Sequence, residues 1–201
     1  DRLAEHGLLG EAELHEIGLH SRFELGPFDM QLVTLTHSIP EPNGLIIRTP
    51  VGTVLHTGDW KIDPEPLIGN STDVAALEAA GEEGVMAMVC DSTNVFNPAP
   101  SGSEGAVHKG LLEEVQRHAG KRVLVTTFAS NVARLQTLGD VARETGRQIC
   151  VAGRSLDRII EVSQDNGYLL DFPEPLDFDT AMGLPRGELL ILATGGQGEP
   201  R

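Results

Sequence analysis

The sequence predicts an α/β fold in two parts, a β-rich half over residues 1–100 and an alternating helix-strand half over 101–201. Three observations predict it. Short apolar runs of strand-like composition dominate the first part. A stretch rich in Pro, Ser and Gly, Asn97 to Gly105, then reads as a loop and a domain boundary. Beyond it, helical and strand patterns alternate at the spacing of a parallel, doubly wound sheet.

In the β-rich half, Met30 to Thr36 has the partial alternation of a strand. Leu45 to Arg48 and Thr53 to His56 flank Thr49-Pro50-Val51-Gly52, where Pro and Gly suit a type I turn, so a hairpin is expected. A short helix, Thr72 to Ala80, precedes Val85 to Cys90, which reads as a further buried strand. In the second half, Ala106 to Ala119 is helical, with Leu111, Leu112 and Val115 on one face. Strand Arg122–Thr126, helix Asn131–Glu144, strand Gln148–Ala152, helix Ser155–Gln164 and strand Glu188–Ala193 follow. No internal repeat or low-complexity tract interrupts them.

Bulk composition narrows the class. An apolar content of 40% in 201 residues is compatible with a buried core and disfavours disorder. No run of 18 apolar residues is present, so no bilayer-spanning helix is expected. No charged-then-apolar leader opens the chain, and its start at Asp1 reads as the interior of a longer protein. Cys90 and Cys150 lie within apolar runs and are expected as buried free thiols in a reducing cytosol. The net charge of −15 argues against an evenly basic nucleic-acid surface, but its distribution is uneven. Residues 1–100 carry 16 acids against 4 bases, whereas 101–201 carry 14 against 11, with Lys109 to Arg158 locally positive. Carboxylates in the acidic half suit a cation site, although most of them simply solvate helices and loops.

Three predicted strands of the first half run into a residue suited to metal or acid-base chemistry: His37, Asp59 and Asp91. Strand ends converge at a sheet edge, and an imidazole with carboxylates there suits Zn²⁺, a carboxylate having two oxygens with which to bridge two ions. Each residue also has a structural alternative: a hydrogen-bonded His, an Asx-turn at Gly58-Asp59, or a helix cap at Asp91. The other six histidines show no ligand spacing and are assigned to surface or packing.

The second half repeats a different theme. Its strands run into Thr127-Phe128-Ala129-Ser130-Asn131, Gly153-Arg154-Ser155 and Thr194-Gly195-Gly196-Gln197-Gly198-Glu199. Ser130, Asn131, Arg154 and Ser155 would stand at helix N-termini, where free N–H groups and the dipole favour an anion. Gly195 and Gly196 would let backbone approach a phosphate. Dinucleotide or P-loop spacing is absent, and such turns also occur in α/β domains that bind nothing. Phe128 suits base stacking, or the core.

Taken in order, Thr36-His37-Ser38-Ile39-Pro40, His56-Thr57-Gly58-Asp59, Asp91-Ser92-Thr93-Asn94, Thr127 to Asn131, Gly153-Arg154-Ser155 and Thr194 to Glu199 resemble the ribonuclease J family along essentially the whole chain. That family is the bacterial and archaeal β-CASP branch of the metallo-β-lactamase superfamily. The resemblance implies part of a metallo-β-lactamase αββα sandwich over 1–100, followed by part of a β-CASP parallel α/β domain over 101–201. It implies His37 as a ligand of one zinc, Asp59 as the carboxylate bridging two, and Asp91 as an acidic group near the metals. The implied activity is 5′-to-3′ exonucleolytic and endonucleolytic cleavage of RNA in processing and decay, by metal-hydroxide attack on phosphodiesters. The substrate would be 5′-monophosphorylated RNA. The setting would be cytoplasmic, without a membrane partner, in a homo-oligomer.

Departures from the family pattern qualify that expectation. The main metal motif, His-x-His-x-Asp-His, is absent from these residues and is expected upstream, so the piece alone would hold zinc poorly and be inactive. Trp60 stands where a smaller aromatic is usual, and Gly196 where Ser is familiar. The alternatives are a non-catalytic RNA-binding paralogue and another hydrolase of the same fold, such as a thioesterase or lactonase.

Overall fold

Alternating apolar residues between Arg22 and His56 build an antiparallel meander, because one face of each strand needs cover. The computed structural model describes residues 2–195. After a four-residue helix, α1 (Arg2–Glu5), come β1 (Arg22–Leu25), β2 (Phe28–Thr34), β3 (Asn43–Thr49) and β4 (Gly52–His56). Strand β5 (Val85–Val89) joins β4 in parallel, completing the sheet order β1-β2-β3-β4-β5. The expected hairpin at Pro50-Val51 forms, with Thr49 opposite Gly52. Strand β1 was not foreseen; its hairpin with β2 turns at Gly26, whose φ of +59° suits a residue without Cβ. Strand β2 stops at Thr34 rather than Thr36. The Thr36 hydroxyl donates to the Lys61 carbonyl at 2.5 Å and accepts from the Asp63 amide at 3.0 Å.

Helix α2 (Val74–Glu83) starts where the Asp73 carboxylate accepts from the Ala76 amide at 3.0 Å. Its Ala80, with Ala76 and Leu77, covers Val33, Leu35 and Ile46 of the sheet. The expectation of a buried strand at Val85 to Cys90 is overturned. Met86, Met88 and Val89 are 61%, 48% and 52% exposed. Cys90 is exposed too, while Cys150 is buried, and both thiols are free. The cause is position: β5 is paired on one side only, as an edge strand.

The second half contains α3 (Glu104–Arg117), β6 (Val123–Thr127), α4 (Val132–Thr145), β7 (Gln148–Ala152), α5 (Arg154–Asp165), α6 (Phe178–Gly183) and β8 (Leu189–Thr194). All three strands are parallel, in the order β6-β8-β7. Leu190 and Leu192 face α4 and α5 in a cluster with Leu135, Leu138, Ile149 and Leu156. Leu189 and Ile191, pointing the other way, meet Cys150 and Ala181 of α6. The predicted helices and strands are therefore present, with ends moved by caps. Ser103 accepts from the Ala106 amide, so α3 begins inside the expected loop. Helix α6 was missed, although Asp177 caps it through the Thr180 amide at 3.0 Å.

At the amino ends of these strands Arg147 is 4% exposed. Its guanidinium donates to the carbonyls of Lys121, Leu189 and His118, each at 2.9 Å, and of Ala119 at 3.3 Å. Burial lowers its pKa from the ordinary value.

A charged knot joins the halves. Asp63, its side chain fully buried, lies 3.0 Å from Lys61 Nζ, and Lys61 Nζ lies 2.9 Å from Glu104. Glu104 in turn sits 3.4 Å from Arg134 of α4. Burial pushes the Asp63 carboxyl up, but the amides of Glu104 and Glu65 together with the Lys61 ammonium outweigh it and hold the pKa below the ordinary 3.8. No helix among the described residues is long and apolar enough to cross a membrane.

Candidate functional site

Strand directions decide where the metal-type residues fall. Strands β2 and β4 both run antiparallel to β3, and β5 runs parallel to β4, so β2, β4 and β5 all end at the same edge. The register keeps the ends level: Leu32 pairs with Leu45, Leu45 with His56, and His56 with Val89. His37, Asp59 and Asp91 follow within a few residues of those ends.

The structure brings His37 and Asp91 into one cleft of about 470 Å³, lined also by Trp60, Lys61, Cys90 and Asn94. His37 Nδ1 lies 3.1 Å from Ser38 Oγ. The Asp91 carboxylate accepts from the Thr93 amide at 2.9 Å. That amide and the Thr93 hydroxyl, with the nearby His37, keep the Asp91 pKa below its usual value. Trp60 Nε1 donates to the Asp91 carbonyl at 3.4 Å, packing the indole against the same turn. Asp59 is exposed on the turn after β4, beside Trp60, and is not among the residues lining this cleft. Among the described residues no group of three or more His, Cys, Asp or Glu side chains is arranged to hold a metal ion. An imidazole and a carboxylate, His37 and Asp91, share this cleft; they fit zinc in kind and would be only part of a coordination set. Sequence reasoning missed Trp60 and Lys61 as lining groups, although both adjoin Asp59.

The phosphate-type residues also meet. Thr127, Phe128, Ser155, Thr194 and Gly195, from the carboxyl ends of all three parallel strands, line a cleft of about 260 Å³. It adjoins a larger one, about 610 Å³, lined by Phe128, Ser130, Ser155 and Arg158. Gly153, at φ +145°, heads α5, which has no side-chain cap bond. A Cβ there would fall 2.9 Å from Thr194 Oγ1, so β7 and β8 pass closely only because the residue is Gly. Asn131 lines neither cleft; it caps α4, its Oδ1 accepting from the Arg134 amide at 2.9 Å. Arg154 is exposed and outside both linings, while Arg158 one turn later, which the sequence reading overlooked, lines the larger. Phe128 is 47% exposed and lines both, so the core alternative is overturned. Gly196 lies outside the described residues.

The two sites share one helical turn. Ser130 lines the phosphate-type cleft, and three residues on, the Ala133 amide donates to the Ser38 carbonyl at 3.0 Å, next to His37.

Comparison with known proteins supplies the family context. Residues 120–201 match the family model described as ribonuclease J, beta-CASP domain. The chain is 44% identical over 181 residues to ribonuclease J of Sinorhizobium meliloti, covering 90% of this chain and 32% of that protein. It is 39% identical over 201 residues to ribonuclease J of Thermus thermophilus, covering 99% and 35% respectively. Ribonuclease J2 of Bacillus subtilis is 30% identical over 201 residues, 36% of its length. The chain thus spans about a third of the length of the curated relatives it matches. A crystal structure of a protein of unknown function from Enterococcus faecalis V583 superposes with a TM-score of 0.62 at 13% identity, covering 92% of this chain and 46% of that one. That likeness shows a shared fold.

Proposed function

The chain belongs to the ribonuclease J family, as part of a β-CASP protein of the metallo-β-lactamase superfamily, and from that premise we propose that its protein is a zinc-dependent ribonuclease. The observation that carries the reading is the pairing of His37 with Asp91 in one cleft, joined through the first turn of α4 to the cleft at Ser130 and Ser155. His37 and Asp59 would hold the metal, with donors from outside these residues completing the set. Two zinc ions, when bound, would activate a water and offset the charge that builds on the phosphate.

The chain's own groups bind and aim the RNA. Asp91, held as a carboxylate by Thr93, lines the cleft with His37 and would orient groups there. The first N–H groups of α5, which no side chain caps, would receive a 5′-monophosphate together with Ser130, Ser155 and Gly195. Arg154 and Asn131 would contribute from the rim. Phe128 would stack on a base at the same place. Both 5′-to-3′ exonucleolytic and endonucleolytic cleavage follow from this reading, in a cytoplasmic homo-oligomer. The 201-residue piece by itself would cut nothing.

The test is cleavage by the zinc-loaded full-length protein of 5′-monophosphorylated RNA, set beside a small thioester. Turnover of the RNA is expected, and turnover of the thioester alone would end the nuclease reading. Asp59→Asn should lower turnover at least about a hundredfold with an unchanged unfolding midpoint, because the amide would not supply the negative charge that holds the metal. Near-normal cleavage by that variant would refute the assignment.

A further inference from the structure

The loop that carries His37 is anchored at both ends by contacts from the other half of the molecule. Residues 37–42 are irregular, so no strand ladder fixes them. At the base, the Leu35 amide donates to the Pro42 carbonyl at 2.9 Å. In the middle, Pro40 packs so closely on Gly69 that a Cβ there would fall 1.9 Å from the Pro40 carbonyl oxygen. Asn43 Nδ2 donates to the Glu41 carbonyl at 3.0 Å, and two further fixings cross between the halves. The Ala133 amide donates to the Ser38 carbonyl, and the Tyr168 hydroxyl donates to Glu41 Oε1 at 2.6 Å. Between these points Ile39 and Pro40 form one wall of a cleft of about 280 Å³ whose other wall is Val132, Ile159 and Val162.

The Tyr168–Glu41 contact is strong for a surface pair. It joins an O–H donor to a carboxylate, and charge-assisted bonds of this kind are short. The Glu41 acceptor, aided by burial, pushes the phenol up to about 12, so the donor stays protonated throughout the physiological range. A rigid aromatic arm from just beyond α5 thus grips the far end of the His37 loop, while α4 grips its near end. Groups that orient metal-type histidines from behind commonly control affinity without touching the ion.

We propose that Tyr168, acting through Glu41, is a positioning residue for the His37 loop, so that the α/β half fixes the aim of the imidazole on the β-rich half. The proposal rests on the ribonuclease reading for its functional consequence, but its structural content stands on the loop contacts alone.

A specific reporter exists in the Ala133 amide. As the second residue of α4 it has no acceptor within its own helix, so its protection from hydrogen exchange depends on Ser38. The experiment compares Tyr168→Phe, Glu41→Ala and Glu41→Gln in the full-length protein. It measures Ala133 exchange without metal, zinc affinity by chelator competition, and kcat and KM on 5′-monophosphorylated RNA. Tyr168→Phe and Glu41→Ala are expected to speed Ala133 exchange about fivefold and to weaken zinc binding by a similar factor. They should lower kcat with little change in KM. Glu41→Gln keeps an acceptor oxygen but loses the charge assistance, and should fall between wild type and Glu41→Ala. Wild-type protein that neither binds zinc nor cuts RNA would defeat the ribonuclease reading alone. Unchanged Ala133 exchange in both Tyr168→Phe and Glu41→Ala would overturn the positioning role whatever the wild type cleaves.

Discussion

The two halves bury their apolar residues very differently. Among the described residues the α/β half has an eleven-residue buried cluster on one sheet face and a second, of four, on the other. The β-rich half has one cluster of four, under a single helix, and leaves β5 open. Yet His37, Asp59 and Asp91 all belong to the thinly packed half. The difference teaches where their placement comes from: Ala133, Tyr168, Glu104 and Arg134 of the better-packed half reach across to the segments that carry or adjoin them. Side chains that must keep a fixed aim need a supporting shell that does not move, and here the neighbouring half supplies part of it.

The strongest way to break this comparison is to cut into each core. Leu190→Ala, at a residue with no exposed surface among tight neighbours, should destabilise the chain by about 4 kcal/mol, measured by urea unfolding. Ile46→Ala, in the smaller cluster, should fall near the low end, about 2 kcal/mol. Equal losses would show that the β-rich half is as firmly packed as its neighbour. A smaller effect sharpens the link between halves. Glu104→Ala leaves Lys61 with Asp63 but strands Arg134, and should cost about 2 kcal/mol. Trp60, the only tryptophan, reports on the β-rich half, whereas far-UV circular dichroism is dominated by the helices. In Glu104→Ala the fluorescence transition should move to lower urea ahead of the dichroism transition; coincident transitions would show that the charged knot does not couple the halves. The smallest effect belongs to β5. Met88→Ala should change stability by less than about 0.5 kcal/mol, because its side chain already meets solvent.

Much of this architecture was legible in the sequence. Period and turn chemistry located the Pro50 hairpin, α4 and β7, because those signals are local. Burial was not local. Val85 to Cys90 has the composition of a buried strand, and what overturned that reading was the lack of a second neighbour beside β5. Phe128 reads as core for the same reason and instead lines two clefts. His37 and Asp91 were recognised as residue types, and the edge they share followed from strand direction. Glu104 gave no warning: it stood in a predicted loop, and its partners Lys61 and Arg134 lie 43 and 30 residues away. Tyr168 and Glu41, 127 residues apart, were equally invisible.

Arg147 gives the parallel sheet a closed end and an open one. Its fork occupies carbonyls at the start of β6 and β8, while the glycines and hydroxyls at the opposite end stay accessible. A single guanidinium therefore ties off main-chain acceptors at one end of the sheet, which leaves ligand-type chemistry to the other end, around Thr194 and Gly195.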